Sequence, residues 1–366
     1  MLTQSKVVPY LLKCGLVSAE SIAEGDLAVM DVSRRNRNYK VISERGPSYF
    51  LKQGIGPEGR ATLANEAAVY QLLQSHRSTH GLDCYLPHYY GYDPEEHILI
   101  LELVRNGQDL REYHTSRGRF STTVAGILGN ALGLLHRQMR EQRKWSEDGH
   151  RFSDQPPWVL SVHRADLSLF RHISNANIQV IKIIQRFPEF CEHLDTLRQG
   201  WMVETLIHRD LKWDNCIVLA KSGLQRKTRL TIVDWELANR GDPCWDVASV
   251  FNDYLSFWLL SIPLTGKTPS ERLIELARYP LERMQPAIHS FWQSYVRQMG
   301  LGATIANKWL LRAVQYGAAR LVQTAFEQMQ MSARLMGNAV GLLQLSLNIL
   351  QRPREALVNL LGFSLE

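Results

Sequence analysis

From residue 27 to about 104, apolar positions fall into short runs separated by turn-forming residues, which is the pattern of strands. The runs are Leu27 to Val32, Tyr39 to Ser43, Tyr49 to Lys52 and Ile98 to Val104, the last apolar apart from Glu102. Between the third and fourth runs the period lengthens. Thr62 to Gln74 carries Leu63, Ala67, Tyr70 and Leu73 at spacings of three and four, on one buried face of a helix. Strands, one helix and a further strand predict a small α+β lobe.

Beyond Leu110 the pattern is mostly helical. Val124 to Gln138 sets Leu128, Leu132 and Leu135 on one face, and the stretches 245–260, 271–299, 303–330 and 337–350 have helical length and period. Only Cys216 to Leu219 and Leu230 to Val233 are β-like; they flank the turn-like segment Ala220 to Arg229 and predict a hairpin. The charged stretch from Arg140 to Asp166, with Pro156-Pro157, reads as an inserted loop. The wider region 140–205 reads as an insertion. At 366 residues the chain exceeds what one core usually fills, so it divides into a lobe at 1–104 and a helical lobe at 105–366.

Composition narrows the class. With 45% hydrophobic and 21% charged residues the chain is neither disordered nor a coiled coil as a whole. A net charge of +6 on this length does not mark a nucleic-acid binder and suits small anions equally well. The cysteines Cys14, Cys84, Cys191, Cys216 and Cys244 are odd in number and form no C-x-x-C pair, against a disulfide framework or a zinc site. Val247 to Leu264 contains Asn252 and Asp253 and ends at Pro263, so it reads as a buried helix rather than a membrane span. No signal peptide is evident, because Lys6, Pro9 and Lys13 interrupt the first apolar run. The expectation is a cytoplasmic protein without membrane or nucleic-acid partners.

The chemistry concentrates in two segments. Ile207-His208-Arg209-Asp210-Leu211-Lys212-Trp213-Asp214-Asn215 places an amide five residues after a carboxylate, and Val233-Asp234-Trp235-Glu236 puts a second carboxylate after a strand. This trio suits magnesium-assisted phosphoryl transfer. Asp210 can accept the proton of an attacking hydroxyl, while Asn215 and Asp234 offer hard oxygens to Mg²⁺.

The first segment resembles the protein-kinase catalytic loop H-R-D-L-x-x-x-N. More closely, the chain resembles the aminoglycoside phosphotransferase and choline kinase-like family of the protein kinase-like superfamily. That family follows its second Asp with Trp or Phe and Glu, and then with G-D-P-x-x-D-[LV]-A, here Gly241-Asp242-Pro243-Cys244-Trp245-Asp246-Val247-Ala248. The resemblance covers roughly residues 27–330 and is strongest over 207–248. It implies a kinase-like bilobal α+β fold, with a small antiparallel-sheet N-lobe and a large, mainly helical C-lobe, and ATP and Mg²⁺ as cofactors. It further implies that Lys52, paired with Glu66, orients the nucleotide phosphates. The Glu102 carbonyl and Val104 amide would meet the adenine edge, with Leu101 lining the pocket. Asp246 would anchor the catalytic loop, and Asp242 would cap a helix.

The chain departs from the protein-kinase pattern in three places. Ser33 to Tyr39 lacks the glycines of a phosphate-covering loop and carries Arg34, Arg35 and Arg37; either Arg35 and Asn36 contact phosphates, or this is a basic solvated hairpin. Lys212 follows Asp210 by two residues, as in Ser/Thr protein kinases, where it neutralises the γ-phosphate; the alternative is an ordinary surface lysine. Between Asp234 and Asp242 there is no room for a long activation loop, so Arg209 has no phosphosite to pair with.

His208 reads as a packed structural residue, and the tryptophans mainly as core, with one or two left for the acceptor pocket. Asp148, Asp154, Asp166 and Glu204 would either bind a cationic substrate or be solvated. Three functions stay open: a kinase for a small-molecule hydroxyl, a Ser/Thr kinase acting on a peptide in a bacterial modification pathway, and a non-catalytic pseudokinase. The acceptor and the oligomeric state are not encoded in any motif.

Overall fold

The structure is a computed structural model and describes residues 1–75, 81–141, 152–164, 173–220, 227–263 and 274–364. It separates into two compact units: Met1–Leu110 with Asp214–Ala238, and Arg111–Trp213 with Asn239–Glu366.

The first unit is built on an antiparallel sheet of β1 (Leu27–Asp31), β2 (Arg37–Ser43), β3 (Tyr49–Gln53), β4 (Tyr89–Asp93) and β5 (Ile98–Glu102), in the order β1-β2-β3-β5-β4. Strand alternation assigns the faces. Tyr39 and Val41 of β2 and Tyr49 and Leu51 of β3 are buried with Ile98 and Ile100. The cover on that face is α1 (Gln4–Lys13), which contributes Val7 and Leu11 to the same cluster. The sequence reading had no helix here, since a stripe of two apolar residues around Pro9 is a weak signal. Phe50 and Lys52 point to the opposite face, with Lys52 in register with Leu99. On that side lies α2 (Gly56–Ser75), longer at its start than the predicted 62–74.

The predicted hairpin forms, Cys216–Leu219 pairing with Arg229–Ile232, although residues 221–226 of its turn lie outside the described set. It joins the first unit because Gln108–Asp109 pairs with it, so 214–238 leaves the helical part to which the sequence boundary had given it.

The second unit is helical. Thr122–Glu141 buries Leu128, Leu132 and Leu135 as expected and packs against Gln285–Met299. Contact is close: a Cβ at Gly129 would strike the Phe291 carbonyl, and one at Gly133 would come within 2.8 Å of the Tyr295 carbonyl. Pro243–Leu260, Ala303–Gln328 and Gly337–Gln351 also follow expectation.

Two expectations need correction. The helix expected over 271–299 begins only at Gln285, after 3-10 turns at Ile274–Leu276 and Leu281–Arg283, because Pro280 is held in an extended conformation and cannot continue a helix. The described residues of the expected insertion 140–205 are mostly packed helices rather than a loop. They include Asn175–Arg186, capped by the Ser174 hydroxyl, and Pro188–Gln199, which bury Val180, Ile181, Ile184, Phe190 and Leu194. Among the described residues no helix is long and apolar enough to cross a membrane.

Candidate active site

The candidate residues divide between the units. In the first, Lys52 donates to both oxygens of Glu66, at 3.0 and 2.9 Å, and to Asp234 Oδ1 at 2.6 Å. Burial opposes charge on Lys52, but the two carboxylates more than reverse this and raise it above an ordinary lysine. Complete burial pushes the Glu66 carboxyl up to about 7, with Lys52 pulling it down and Asp234 pushing it up. Glu236 is raised as well, by burial and by Asp234. Burial is the first cause of both shifts, and a surplus of carboxylate over cationic charge around Lys52 adds to it. Hard oxygen donors around such a surplus suit a divalent cation of the Mg²⁺ or Ca²⁺ type.

The backbone fixes this cluster tightly. Asp234 sits in the left-handed region at φ 68°, a conformation that costs a non-glycine residue about 1 kcal/mol or more and persists only where neighbours enforce it. The enforcement comes from α2: Glu66 Oε1 accepts from the Trp235 amide at 3.3 Å, and Asn65 Nδ2 donates to the carbonyls of Glu236 and Ala238 at 3.1 and 2.9 Å. Asn65 had escaped the sequence reading, which saw only a polar helix position beside Glu66. The Asn215 carbonyl accepts from the Val233 amide at 2.9 Å, so Asn215 lies beside the strand end that presents Asp234.

Glu102 and Val104 both border a cavity of about 490 Å³, together with Leu103, Ser48, His88, Arg105 and Arg229. The β5 ladder ends at Glu102, and just beyond it the Leu103 amide still donates to the Ser48 carbonyl at 2.8 Å. The Glu102 carboxylate accepts from the His88 amide at 3.0 Å and faces Arg229 at 3.4 Å. Leu101 is buried inside the sheet, and Leu103 borders the cavity in its place. Lys52, Glu66, Asn215 and Asp234 do not line this cavity, so it adjoins the predicted base-binding segment but not the phosphate-handling residues.

In the arginine-rich turn both named residues have partners within the protein. Arg35 pairs with Glu58 at 2.7 Å and approaches Glu236 at 3.9 Å. Asn36 is buried, and its Oδ1 accepts from the Ile55 amide at 3.4 Å and fills the space that a side chain at Gly59 would occupy.

In the second unit the catalytic-loop segment is held by Asp246, fully buried near the start of the helix Pro243–Leu260. Its carboxylate accepts from the amides of His208 at 2.7 Å and Arg209 at 2.9 Å and hydrogen-bonds His136 at 3.3 Å. Burial alone would raise this carboxyl, but His136 and the His208 amide outweigh it and hold it below the usual range. Arg209, the residue so clamped, has φ 69°, and its carbonyl accepts from the Trp245 indole at 3.0 Å. The strained turn directs the next residue, Asp210. Lys212 Nζ lies 2.9 Å from Asp210 Oδ2, and Arg320 lies 3.7 Å from Oδ1. Asp242 caps the helix through the Cys244 amide at 2.9 Å, as expected.

The remaining candidates are mostly structural. His208 is buried, and Trp213, Trp235 and Trp245 are among the largest fully buried side chains. Glu204 is matched by Arg140 at 3.0 Å and Arg312 at 3.8 Å, Asp154 is exposed, and Asp148 and Asp166 lie outside the described residues. Arg209 donates to the Pro156 carbonyl at 3.4 Å. Among the described residues, no group of three or more His, Cys, Asp and Glu could hold a metal by itself.

Comparison with known proteins accords with this geometry. The model of the phosphotransferase enzyme family (APH) matches residues 30–268, well over half of the chain. No curated protein matches the sequence. Among solved structures, a glucosamine kinase in complex with glucosamine, ADP and inorganic phosphate is 11% identical, with a TM-score of 0.54 over 98% of this chain and 88% of its own. An amicoumacin kinase in complex with AMP-PNP, Ca²⁺ and its antibiotic is 14% identical, with a TM-score of 0.52 over 95% and 93%. The macrolide 2′-phosphotransferase of Brachybacterium faecium is 15% identical, with a TM-score of 0.51 over 92% and 98%. At these identities the structural likeness shows the fold, which is kinase-like, and the family match shows the rest: the chain belongs to the phosphotransferase enzyme family and is a phosphotransferase.

Proposed function

We propose that this enzyme moves the γ-phosphoryl group of ATP, with Mg²⁺, to a hydroxyl of a small molecule. The observation that carries the reading is Lys52 held at 3.0 Å or less by Glu66 and Asp234, an ammonium fixed for a nucleotide's phosphates beside an oxygen-rich cation site. In this reading Asp210 is the base that accepts the proton of the acceptor hydroxyl. Lys212 meets the transferring group, and Glu102 and Val104 meet the nucleotide base. Asn215 and Asp234 would hold Mg²⁺, which supplies charge neutralisation on the phosphates when bound. The donor set fits that ion. Mg²⁺ takes one or two protein carboxylates and completes its shell with phosphate and water oxygens, so a separate cage of three or more acidic groups is not required. The names of the structural neighbours, a glucosamine kinase, an amicoumacin kinase and a macrolide 2′-phosphotransferase, favour a small hydroxyl-bearing acceptor.

A Ser or Thr hydroxyl of a peptide is the second reading, favoured by Lys212 beside Asp210. Incubation with γ-labelled ATP and either a panel of sugars, amino alcohols and antibiotics or a Ser/Thr-rich peptide separates the two. Label should move to the small molecules and stay absent from Asp210→Ala and Asp234→Ala. Full transfer by either variant would sink the reading, and a total lack of Mg²⁺-dependent ATP turnover would leave the pseudokinase.

A further inference from the structure

The second unit carries a charge that the proposed chemistry does not use. Arg320, on the helix Ala303–Gln328, is 2% exposed. Burying a guanidinium costs several kcal/mol unless its donors are matched. Nη1 donates to Gln323 Oε1 at 2.9 Å, Nη2 lies 3.7 Å from Asp210 Oδ1, and the group stacks 5.6 Å from the Trp245 ring centre, while Nε is buried with no hydrogen-bond partner. Gln323 in turn donates to Glu327 at 2.9 Å, so three polar side chains, one helical turn apart, form a ladder ending at Asp210.

The two oxygens of Asp210 therefore meet different cations. Lys212, at Oδ2, is 30% exposed and sits on the same loop; Arg320, at Oδ1, is 3% exposed and locked by packing. A lysine that also serves a phosphoryl group must share its three donors between that group and the carboxylate. An arginine held by a glutamine and a tryptophan stays.

We propose that Arg320 is the positioning residue of the base. It holds Asp210 from the Oδ1 side, so that Oδ2 stays in place to accept the acceptor's proton while Lys212 shares its donors with the phosphoryl group. This rests on Asp210 being the base. Proton and phosphoryl balance is that of the parent reaction: the hydroxyl oxygen bonds to phosphorus, the bond from phosphorus to the ADP oxygen breaks, and the proton goes to Oδ2.

The test uses the full-length enzyme and MgATP alone, with water as acceptor. Asp210→Asn should abolish hydrolysis. Arg320→Met should lower kcat at least about tenfold with KM for MgATP unchanged, because loss of orientation acts on the transition state and not on nucleotide binding. Arg320→Lys should recover part of that loss. If burial makes Arg320→Met unstable, Gln323→Ala, which removes the oxygen that fixes Arg320, should show the same kcat-only pattern more weakly. Wild-type kcat in Arg320→Met alongside an inactive Asp210→Asn overturns the positioning role and leaves the base intact. An active Asp210→Asn overturns both. Loss of kcat that Arg320→Lys does not relieve, with a falling melting temperature, marks Arg320 as purely structural and also overturns the role.

Discussion

In the first unit Lys52 serves Glu66 and Asp234 together, and burial, with repulsion from Asp234, raises the carboxyls of Glu66 and Glu236. In the second, Asp246 is ringed by two backbone amides and His136, and its carboxyl is held low. The first cluster is stressed by like charges packed together; the second is satisfied as it stands. Stress of that kind suits a place where a charged ligand comes and goes, and satisfaction suits a part that must not move. Function and stability should therefore separate in the first unit and coincide in the second.

The largest expected effect tests the separation. Asp234→Asn should lower kcat for MgATP hydrolysis by about 10³, roughly 4 kcal/mol of transition-state stabilisation. Its melting temperature should stay level or rise, since the repulsion on Glu66 is relieved. Asp246→Ala should instead lose both. Two buried amides left without an acceptor cost about 3 kcal/mol in chemical unfolding, and hydrolysis should disappear with the geometry of the loop. Because the Asp246 carboxyl is low in the folded protein, its contribution is complete above the ordinary aspartate range and fades as pH falls through it.

Acid exposes a second weakness of the satisfied unit. His114 is buried among Phe120, Trp213 and Tyr254, and burial lowers it to about 4, with the Arg119 carbonyl pulling the other way. Between an unfolded value near 6.5 and the folded value of about 4, the unfolded chain binds the extra proton, so stability drops as pH falls. Thermal or urea unfolding should show about 2 kcal/mol of this loss at pH 5 relative to pH 7.5, and His114→Phe should flatten the slope. The smallest effect returns to the first unit. Asn65→Ala removes two bonds to the turn after Asp234, which should cost about 1 kcal/mol in unfolding and raise KM for MgATP a few-fold.

The residues proposed to carry the chemistry, and those that hold them, were legible because chemistry restricts residue type at fixed spacing. His208, Asp210, Asn215, Asp234 and Asp246 stand in a pattern that few other demands would produce. The strands of the sheet were legible because one buried face enforces alternation. What escaped was decided by tertiary contact. Arg320 is one charge on a long helix, and nothing in the local pattern distinguishes a buried guanidinium from a solvated one. Asn36 turned inward to support Ile55 and Gly59 because a short amide in a tight turn competes well for nearby backbone. The helices at 175–186 and 188–199 had the right period but followed a charged, proline-containing stretch whose composition suggested a loop.

The N-terminal helix bears on how the protein can be cut. The family match begins at residue 30, yet the amide and carbonyl of Leu2 are bonded to Gln53 at 2.8 Å and Tyr39 at 3.1 Å, and Gln53 is the neighbour of Lys52. Trimming to the family boundary would strip Tyr39, Val41, Leu51 and Ile100 of their cover and loosen the strand that carries the lysine. The segment conserved as a domain in the family sense is thus smaller than the piece that can fold. Shuffling or truncation libraries that take the former as their unit should yield aggregates rather than weaker enzymes.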